Sequence, residues 1–251
     1  SKVMERLLMP FVDELITVGE RIAEWYAKKY SRRKPCVVMN SPLLCNAEKS
    51  EVLRELIGIS HETRLFLYLG VLSEGRSVEL MLDAFSGCDD RAIVLMGGGG
   101  TSREGRRLED LVRKRASREA NVFFLRPVPR NKVVEYASSA DVGLCLIEDK
   151  CLSYRYCLPN KLFEYGMAGT PVLASNLPEL TEVVKRYGCG VICSELTAEG
   201  IRIAIDECLA VDVLAMGVRA RRWAEERCWE TQEKKLVDLY RELIPKARLY
   251  I

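Results

Sequence analysis

The chain has 251 residues and 48% of them are hydrophobic, which is enough for one large domain or about two small ones with a sizeable core. Its 38 basic and 36 acidic side chains leave a net charge of +2, so no global field attracts nucleic acid or a membrane surface. No run approaches ~18 uninterrupted apolar residues, which argues against a transmembrane span.

The first part of the chain predicts a helix over Val3–Met9, a short strand within Glu14–Val18 and a second helix over Glu20–Tyr30. Seven short segments that are apolar on both faces then follow at regular spacing and predict buried parallel strands. They are Cys36–Met39, Leu65–Leu69, Ile93–Met96, Val122–Leu125, Val142–Ile147, Val172–Ala174 and Val191–Cys193.

Amphipathic stretches between these segments are long enough for crossover helices. They are Glu51–Ile57, Val78–Phe85, Arg106–Arg115, Asn131–Ser138 and Glu179–Arg186, and from Ile201 onward the chain is predicted to be helical, with helices over Val211–Glu226 and Trp229–Leu243. Strand and helix alternating in this way predict a Rossmann-like α/β fold, with a parallel sheet, helices on both faces and a helical C-terminal extension. In such sheets a ligand lies beyond the carboxyl ends of the strands, here the loops after Leu69, Met96, Leu125 and Ile147.

The first of these loops contains two glycines and an arginine at the start of the next helix. Gly70 and Gly75 let backbone amides approach an anion closely, and Arg76 can bind a diphosphate through two hydrogen bonds. A turn with a solvated arginine explains the same pattern.

The second loop, Gly97–Gly100, does not match a dinucleotide-binding motif. Ser102 or Arg103 stands where G-x-G-x-x-G requires its last glycine, so nicotinamide and flavin cofactors are disfavoured and we expect no cofactor. The basic stretch Arg103–Arg118 carries interleaved acids and no aromatic side chain, which favours a solvated helix face over a nucleic-acid platform. His61 is the single histidine, and we expect no metal site.

The ten cysteines show neither a disulfide framework nor a zinc pattern. The chain is long, no signal peptide is visible, and no two cysteines have the C-x-x-C spacing. We therefore expect mostly buried, reduced thiols and a cytoplasmic location.

The segment Leu158–Ser175 reads as a loop, a helix and a buried strand. Pro159 and Asn160 are predicted to cap the helix, with Lys161 and Glu164 on its first turn. A helix N-terminus favours phosphate, and the Glu164 carboxylate suits hydroxyl groups such as those of a ribose. A capped surface helix with an i,i+3 ion pair is the alternative.

Taken in order, short motifs along nearly the whole chain resemble the C-terminal half of GT-B glycosyltransferases of glycosyltransferase family 4. The motifs are Ile16–Gly19, Val37–Pro42, Tyr68–Gly70, Arg76, Val94–Gly97, Arg126–Pro129, Ala140–Leu144, Pro159–Tyr165 and Gly169–Val172. The most specific part of the resemblance is Asn160–Val172.

The resemblance implies three parts: the end of an N-terminal acceptor domain (1–34), a Rossmann-like domain that binds a nucleotide sugar (35–228) and a crossover helix (229–251). It implies metal-independent transfer from a UDP- or GDP-sugar with retention of configuration. It further implies a role for each of the following residues. Gly70, Arg76, Asn160, Lys161 and Leu162 bind the diphosphate, Glu164 binds the ribose, Val128 flanks the base, and Tyr156, Cys157, Leu158 and Pro159 face the sugar.

The chain departs from the family pattern in three ways. Tyr156 stands where the family has the first of two paired glutamates, and Val71 stands where it has a basic residue. The N-terminal acceptor-binding half, from which we expect the catalytic groups, is absent, so we expect an excised domain or one member of a split enzyme. We expect its partner to be that acceptor domain and its acceptor to be an unidentified glycan, lipid or protein. The resemblance also leaves open a peripheral attachment of the full-length protein to a membrane.

Two alternatives stay open. The first is a degenerate nucleotide-sugar-binding module without catalysis, which the residues Val71 and Tyr156 favour. The second is a GT-B nucleotide-sugar epimerase, although such enzymes use several acids and histidines around the sugar.

Overall fold

The computed structural model describes residues 2–46 and 48–247. In it the chain forms helices and parallel strands. The strands are β1 Ile16–Thr17, β2 Cys36–Val37, β3 Arg64–Leu69, β4 Arg91–Met96, β5 Val122–Leu125, β6 Val142–Cys145, β7 Val172–Ser175 and β8 Gly190–Cys193. The helices are α1 Lys2–Leu8, α2 Glu20–Tyr30, α3 Val52–Ile57, α4 Val78–Phe85, α5 Arg103–Ala116, α6 Val133–Ser138, α7 Leu152–Arg155, α8 Asn160–Met167, α9 Pro178–Tyr187, α10 Ala198–Leu209, α11 Val213–Glu225 and α12 Trp229–Ala247.

Six strands form one parallel sheet in the order β5-β4-β3-β6-β7-β8. The chain builds outward from β3 to β5, then returns to the other side of β3 and builds outward to β8. The direction therefore reverses between β3 and β6, and a crevice at such a reversal, beyond the carboxyl ends of the strands, is where open α/β sheets bind ligands.

The core lies on both faces of this sheet. Leu65, Leu67 and Leu69 of β3 belong to one buried cluster, and the intervening Phe66 and Tyr68 belong to another. Because successive side chains of a strand point to opposite faces, each face must be covered by helices. Helices α8, α9 and α11 contribute to the first cluster, and α4, α5 and α10 contribute to the second. The predicted Rossmann-like fold is confirmed.

The predicted strand Cys36–Met39 is shorter than expected and lies outside the main sheet. Only Cys36 and Val37 are in a strand, and they pair in parallel with Ile16 and Thr17 in a separate two-stranded sheet. The intervening α2 supplies the crossover that a parallel pair requires, so the nearest strand along the chain is the partner. The predicted strand Val142–Ile147 also ends early, at Cys145, and the Ile147 amide donates to Ser175 Oγ at 2.6 Å.

The segment Met39–Cys45, which we call the strap, ties the two-stranded sheet to the C-terminal helices. The Met39 amide donates to Gln232 Oε1 at 3.0 Å, and the Trp229 amide donates to the Pro42 carbonyl at 2.8 Å. Arg221 of α11 donates to the carbonyls of both Cys45 and Met167. The strap is therefore fixed from α8, α11 and α12 together.

Two further observations concern the whole described chain. All ten cysteines are free, five are buried, and Cys151 is exposed. Among the helices of residues 2–46 and 48–247, none is long and apolar enough to cross a lipid bilayer.

Candidate functional site

The floor of the crevice is made by two loops whose backbones touch. After β3 and β4 the ladder continues, with the Gly70 amide donating to the Met96 carbonyl at 3.1 Å and the Leu72 amide donating to the Gly98 carbonyl at 3.0 Å. A Cβ on Gly97 would overlap the Gly70 carbonyl, and Gly70 itself has a φ of +128°. Only glycine fits this crossing, so backbone groups line this floor.

Lys161, the second residue of α8, points toward this floor. Its side chain is 7% exposed, and its Nζ has no hydrogen-bond partner among the described residues. The Nζ lies 3.6 Å from the centre of the Tyr68 ring, and its Cε lies 3.8 Å from where a Cβ on Gly70 would be. Burial, and to a smaller extent the charge of Arg76, together lower the pKa of Lys161 to about 8. Gly70 and Lys161 therefore lie side by side, and the charge of Arg76 acts on the same ammonium group.

Arg76 is a second cation without a counter-ion. Its guanidinium carbon lies 4.8 Å from the centre of the Tyr154 ring, and no carboxylate in the described part of the chain pairs with it. Tyr154 in turn fills the space beside Gly75, which has a φ of +79°. A stacked aromatic ring fixes the direction of the guanidinium while leaving its N–H groups free to bind an anion.

The start of α8 differs from the predicted cap. Pro159 is the N-cap residue and forms no side-chain cap bond, and Asn160 is already helical. The Asn160 Oδ1 instead accepts from Asn40 Nδ2 of the strap at 2.9 Å. The capping role assigned to Pro159 and Asn160 was therefore wrong, because proline has no acceptor in its side chain and the asparagine side chain is engaged elsewhere.

The first amides of α8 are still partly free. The Leu162 amide donates to the Pro159 carbonyl at 3.0 Å, so its predicted contact with a diphosphate competes with this bond. The amides of Asn160 and Lys161 meet no backbone acceptor within residues 2–46 and 48–247. These two amides, rather than those of Lys161 and Leu162, are the free donors at this helix start.

Glu164 lies one turn further along α8 and is half-buried. Burial raises the pKa of this carboxyl group, and the charges of Lys161 and Arg130 oppose the increase. No donor among the described side chains bonds to it, so both oxygens remain available. Val128, in the loop after β5, is half-buried and packs against the core.

The loop before α8 presents a mixed surface. Tyr156 and Pro159 are half-buried, whereas the Leu158 side chain is only 6% exposed and lies in the core. The side chain of Leu158 therefore cannot face a sugar, which corrects its predicted role and leaves only its backbone for contact. Cys157 also packs against the core, and burial raises the pKa of its thiol to about 11.

A separate cavity of about 560 Å³ lies beside this loop. Four basic side chains and two acidic ones line it, together with three neutral residues. The charged residues are Arg21, Arg155, Lys185, Arg186, Asp149 and Glu182. None of Gly70, Arg76, Lys161 and Glu164 lines this cavity, so it does not include the cluster around Lys161.

Sequence reasoning missed Tyr68, Tyr154 and Asn40. A signal for Tyr68 was present in the sequence. Tyr68 lies two positions before Gly70, and residues two positions apart on a strand lie on the same face of the sheet. His61, in contrast, is a surface residue whose Nδ1 lies 3.4 Å from Glu51. In the part of the chain that the structure describes, no three His, Cys, Asp or Glu side chains are grouped as metal ligands.

The comparisons with known proteins agree on one family and one fold. The family model described as "Glycosyl transferases group 1" matches residues 49–225. The chain is similar to sucrose-phosphate synthase from Thermosynechococcus elongatus, with 22% identity and a TM-score of 0.76 over 94% of this chain and 59% of that one. It is similar to WaaG, a glycosyltransferase involved in lipopolysaccharide biosynthesis, with 20% identity and a TM-score of 0.66 over 90% of this chain and 62% of that one.

A third similar structure is Anabaena Alr3699/HepE in complex with UDP-glucose, with 14% identity and a TM-score of 0.79. That match covers 96% of this chain and 67% of the Anabaena chain. No curated protein matches the sequence significantly. The present chain thus spans 59% of the length of the sucrose-phosphate synthase chain and 62% of the length of the WaaG chain.

Proposed function

This chain belongs to the Glycosyl transferases group 1 family, and from that premise we propose that it is the donor-binding C-terminal half of a retaining, metal-independent enzyme of the family 4 type. The donor is a UDP- or GDP-sugar, and no cofactor takes part. The solved complex of Alr3699/HepE with UDP-glucose makes UDP the first nucleotide to test.

One observation supports this proposal above the others. The Lys161 ammonium lies beside Gly70, and neither it, the Arg76 guanidinium nor the amides of Asn160 and Lys161 have an anionic partner among the described residues. Charges left unpaired in this way are costly unless a ligand pairs with them. A diphosphate carries the opposite charge and several acceptor oxygens, so it fits this set of donors.

The remaining roles follow from position. Glu164 accepts hydrogen bonds from the ribose hydroxyls, and Val128 with its loop flanks the base. Tyr156, Cys157, Leu158 and Pro159 face the sugar, with Leu158 doing so through its backbone only. As the bond from the sugar to the diphosphate breaks, negative charge grows on the leaving diphosphate, and Lys161, Arg76 and the helix amides stabilise it electrostatically.

We propose that the acceptor and the catalytic groups near the anomeric carbon belong to an N-terminal domain or partner chain. The acceptor is a glycan, lipid or protein, and peripheral membrane attachment of the full-length protein is part of this proposal. The ten free cysteines fit a reducing compartment, which is why we place the protein in the cytoplasm.

The proposed role of Glu164 predicts a defined loss of nucleotide affinity. Replacing Glu164 with Ala should weaken UDP or GDP binding by about 1.5–3 kcal/mol, roughly ten- to more than a hundredfold, because hydrogen bonds to a charged acceptor are lost. Isothermal titration calorimetry with UDP, GDP and their sugars measures this. Glu199→Ala is the matched control, since Glu199 lies on α10 and pairs with Arg202 at 3.3 Å.

A nucleotide without ribose hydroxyls separates a direct contact from a structural effect. The wild-type protein should bind 2′,3′-dideoxyuridine diphosphate as weakly as Glu164→Ala binds UDP, and combining both changes should add little. Additive losses would show that Glu164 does not hold the ribose.

The second candidate function is a nucleotide-sugar-binding module without catalysis. Val71 supports it, since this side chain is 59% exposed at the floor and offers no charge where the family has a basic residue. Binding of a nucleotide sugar without any transfer in the presence of the N-terminal domain or partner chain would favour the module, and transfer of the sugar would favour the transferase. The epimerase alternative has no support beyond the shared architecture.

A further inference from the structure

Lys161 is a buried cation that the fold does not neutralise. Its Nζ is enclosed, bonds to no oxygen or nitrogen atom of the described chain, and rests against the face of Tyr68. Protein interiors normally pair such a group or exclude it. Here the α8 backbone and the ring of Tyr68 hold the ammonium at the floor of the crevice without a counter-ion.

The titratable groups around Lys161 come from every element packed against it, and most are neutral. Cys145 of β6 and Cys157 of the loop before α8 are thiols whose burial raises their pKa values to about 12 and about 11. Burial also raises the pKa of Tyr68 on β3. The two charged neighbours oppose one another, since Arg76 disfavours the ammonium and Glu164 favours it.

We propose that the donor diphosphate is the missing counter-ion and that its binding is coupled to the uptake of up to one proton, depending on pH, by Nζ of Lys161. The proposal rests on the proposed function, because it requires that a nucleotide diphosphate binds beside Gly70. The proton comes from solvent, the neutral amine becomes an ammonium, and the ammonium then donates to the diphosphate oxygens.

The direction of the pH dependence follows from the state of the free protein. With a pKa of about 8, Lys161 is mostly charged at pH 7 and mostly neutral at pH 9. An anion beside the amine favours the charged form, so the bound state keeps the proton over this whole range. The affinity is reduced by the fraction of protein that lacks the proton, which makes binding about tenfold weaker at pH 9 than at pH 7.

Arg76 supplies the part of the attraction that does not depend on pH. An arginine guanidinium is a permanent cation in proteins. The site therefore combines one permanent cation with one whose charge in the free protein is lost as the pH rises and is restored by the ligand. Lys161 thereby regulates donor affinity, and the nucleotide should bind more weakly as the surroundings become alkaline.

The test is calorimetric titration of UDP into the whole chain at pH 7 and pH 9, in pairs of buffers with different ionisation enthalpies. We expect uptake of about 0.1 proton at pH 7 and about 0.9 proton at pH 9, as linkage requires for a pKa of about 8. Lys161→Arg is the matched variant, since it retains a cation that does not titrate. Its affinity for UDP should vary with pH only through the titration of UDP itself, which its residual proton uptake measures.

The outcomes separate this inference from the proposed function. No UDP binding at either pH would overturn both the proposed function and the coupling. UDP binding with the same proton uptake in wild type and Lys161→Arg would overturn the coupling alone. Lys161→Met serves where arginine does not fit, with circular dichroism to confirm folding, and it should bind weakly, with an affinity that varies with pH only through the titration of UDP.

Discussion

Two buried cations of this molecule show at the scale of single residues how structure and function differ. Arg54 is 6% exposed, and it donates to Asp141 Oδ2 at 2.7 Å and to the carbonyls of Ser60 and Thr63 at 2.8 and 2.9 Å. Lys161 is 7% exposed and has no such partner. A satisfied buried cation holds the fold together, whereas an unsatisfied one costs stability and is kept for a ligand.

This cost predicts that Lys161→Met stabilises the protein without ligand. The pKa of Lys161 is about 8 in the fold against an ordinary 10.5, so the fold disfavours the charged form. The penalty is complete below pH 8 and disappears as the pH rises from 8 to 10.5. The variant should therefore be more stable by about 2–3 kcal/mol at pH 7, and the gain should shrink by pH 9.5. Urea unfolding at both pH values measures this, and a variant less stable at pH 7 would contradict it.

Some site residues were readable from the sequence, and others were not, for a physical reason. Arg76, Lys161 and Glu164 are charged residues at or near the starts of helices. A helix start is recognised from a few consecutive residues, so the sequence alone indicates these positions. Asn40 donates to Asn160, which is 120 positions away in the sequence. Tyr154 stacks on Arg76, which is also distant from it in the sequence. Contacts of this kind depend on tertiary folding, as does the burial of Leu158, which an apolar residue in a loop does not reveal.

The strands and helices were predicted well where local pattern decides them. The bounds of α2 and α4 match the predicted Glu20–Tyr30 and Val78–Phe85, because each has an apolar face of helical period. Cys36–Met39 was misplaced because apolar residues alone do not determine the sheet to which a strand belongs. The crossing of the loops after β3 and β4 also needs the structure, although the four glycines after Met96 signal a close approach.

The crossing of these loops predicts different effects for two neighbouring glycines. Gly97→Ala places a methyl group on the Gly70 carbonyl and should destabilise the protein by about 2–4 kcal/mol, because two backbones must move apart. Gly98→Ala is the control, since its Cβ would meet only Glu109 Oε2 at an ordinary 3.6 Å. Thermal unfolding compares the two, and equal losses would show that the crossing is not tight.

The whole molecule is held together by contacts between its two ends and the sheet. The Arg21 amide of α2 donates to Glu179 of α9 at 2.6 Å, and the strap is bound by α8, α11 and α12. The same strap reaches the start of α8 through Asn40. The described residues of the parts predicted at 1–34 and 229–251 thus contact the sheet domain, and the assignment of these parts to a second domain stays a prediction.

Gln232 is the most enclosed of these links, with no exposed surface. Replacing it with Leu should lower the free energy of unfolding by about 1–3 kcal/mol, because the Met39 amide would be buried without an acceptor. Glu233→Leu, at the adjacent exposed position, should change stability little. Chemical unfolding measures both variants, and an unchanged Gln232→Leu protein would show that the strap is not held through this bond.

The crossing of Gly70 and Gly97 also limits how this chain can evolve. A mutation away from glycine at position 97 is blocked while the Gly70 carbonyl stays in place, and Gly70 adopts a φ that other residues avoid. Neither position can therefore drift through single, tolerated steps. Side chains such as Val71 and Tyr156 stand outside this restriction and are free to diverge. Lineages descended from this protein should retain the backbone floor while the side chains around the sugar change.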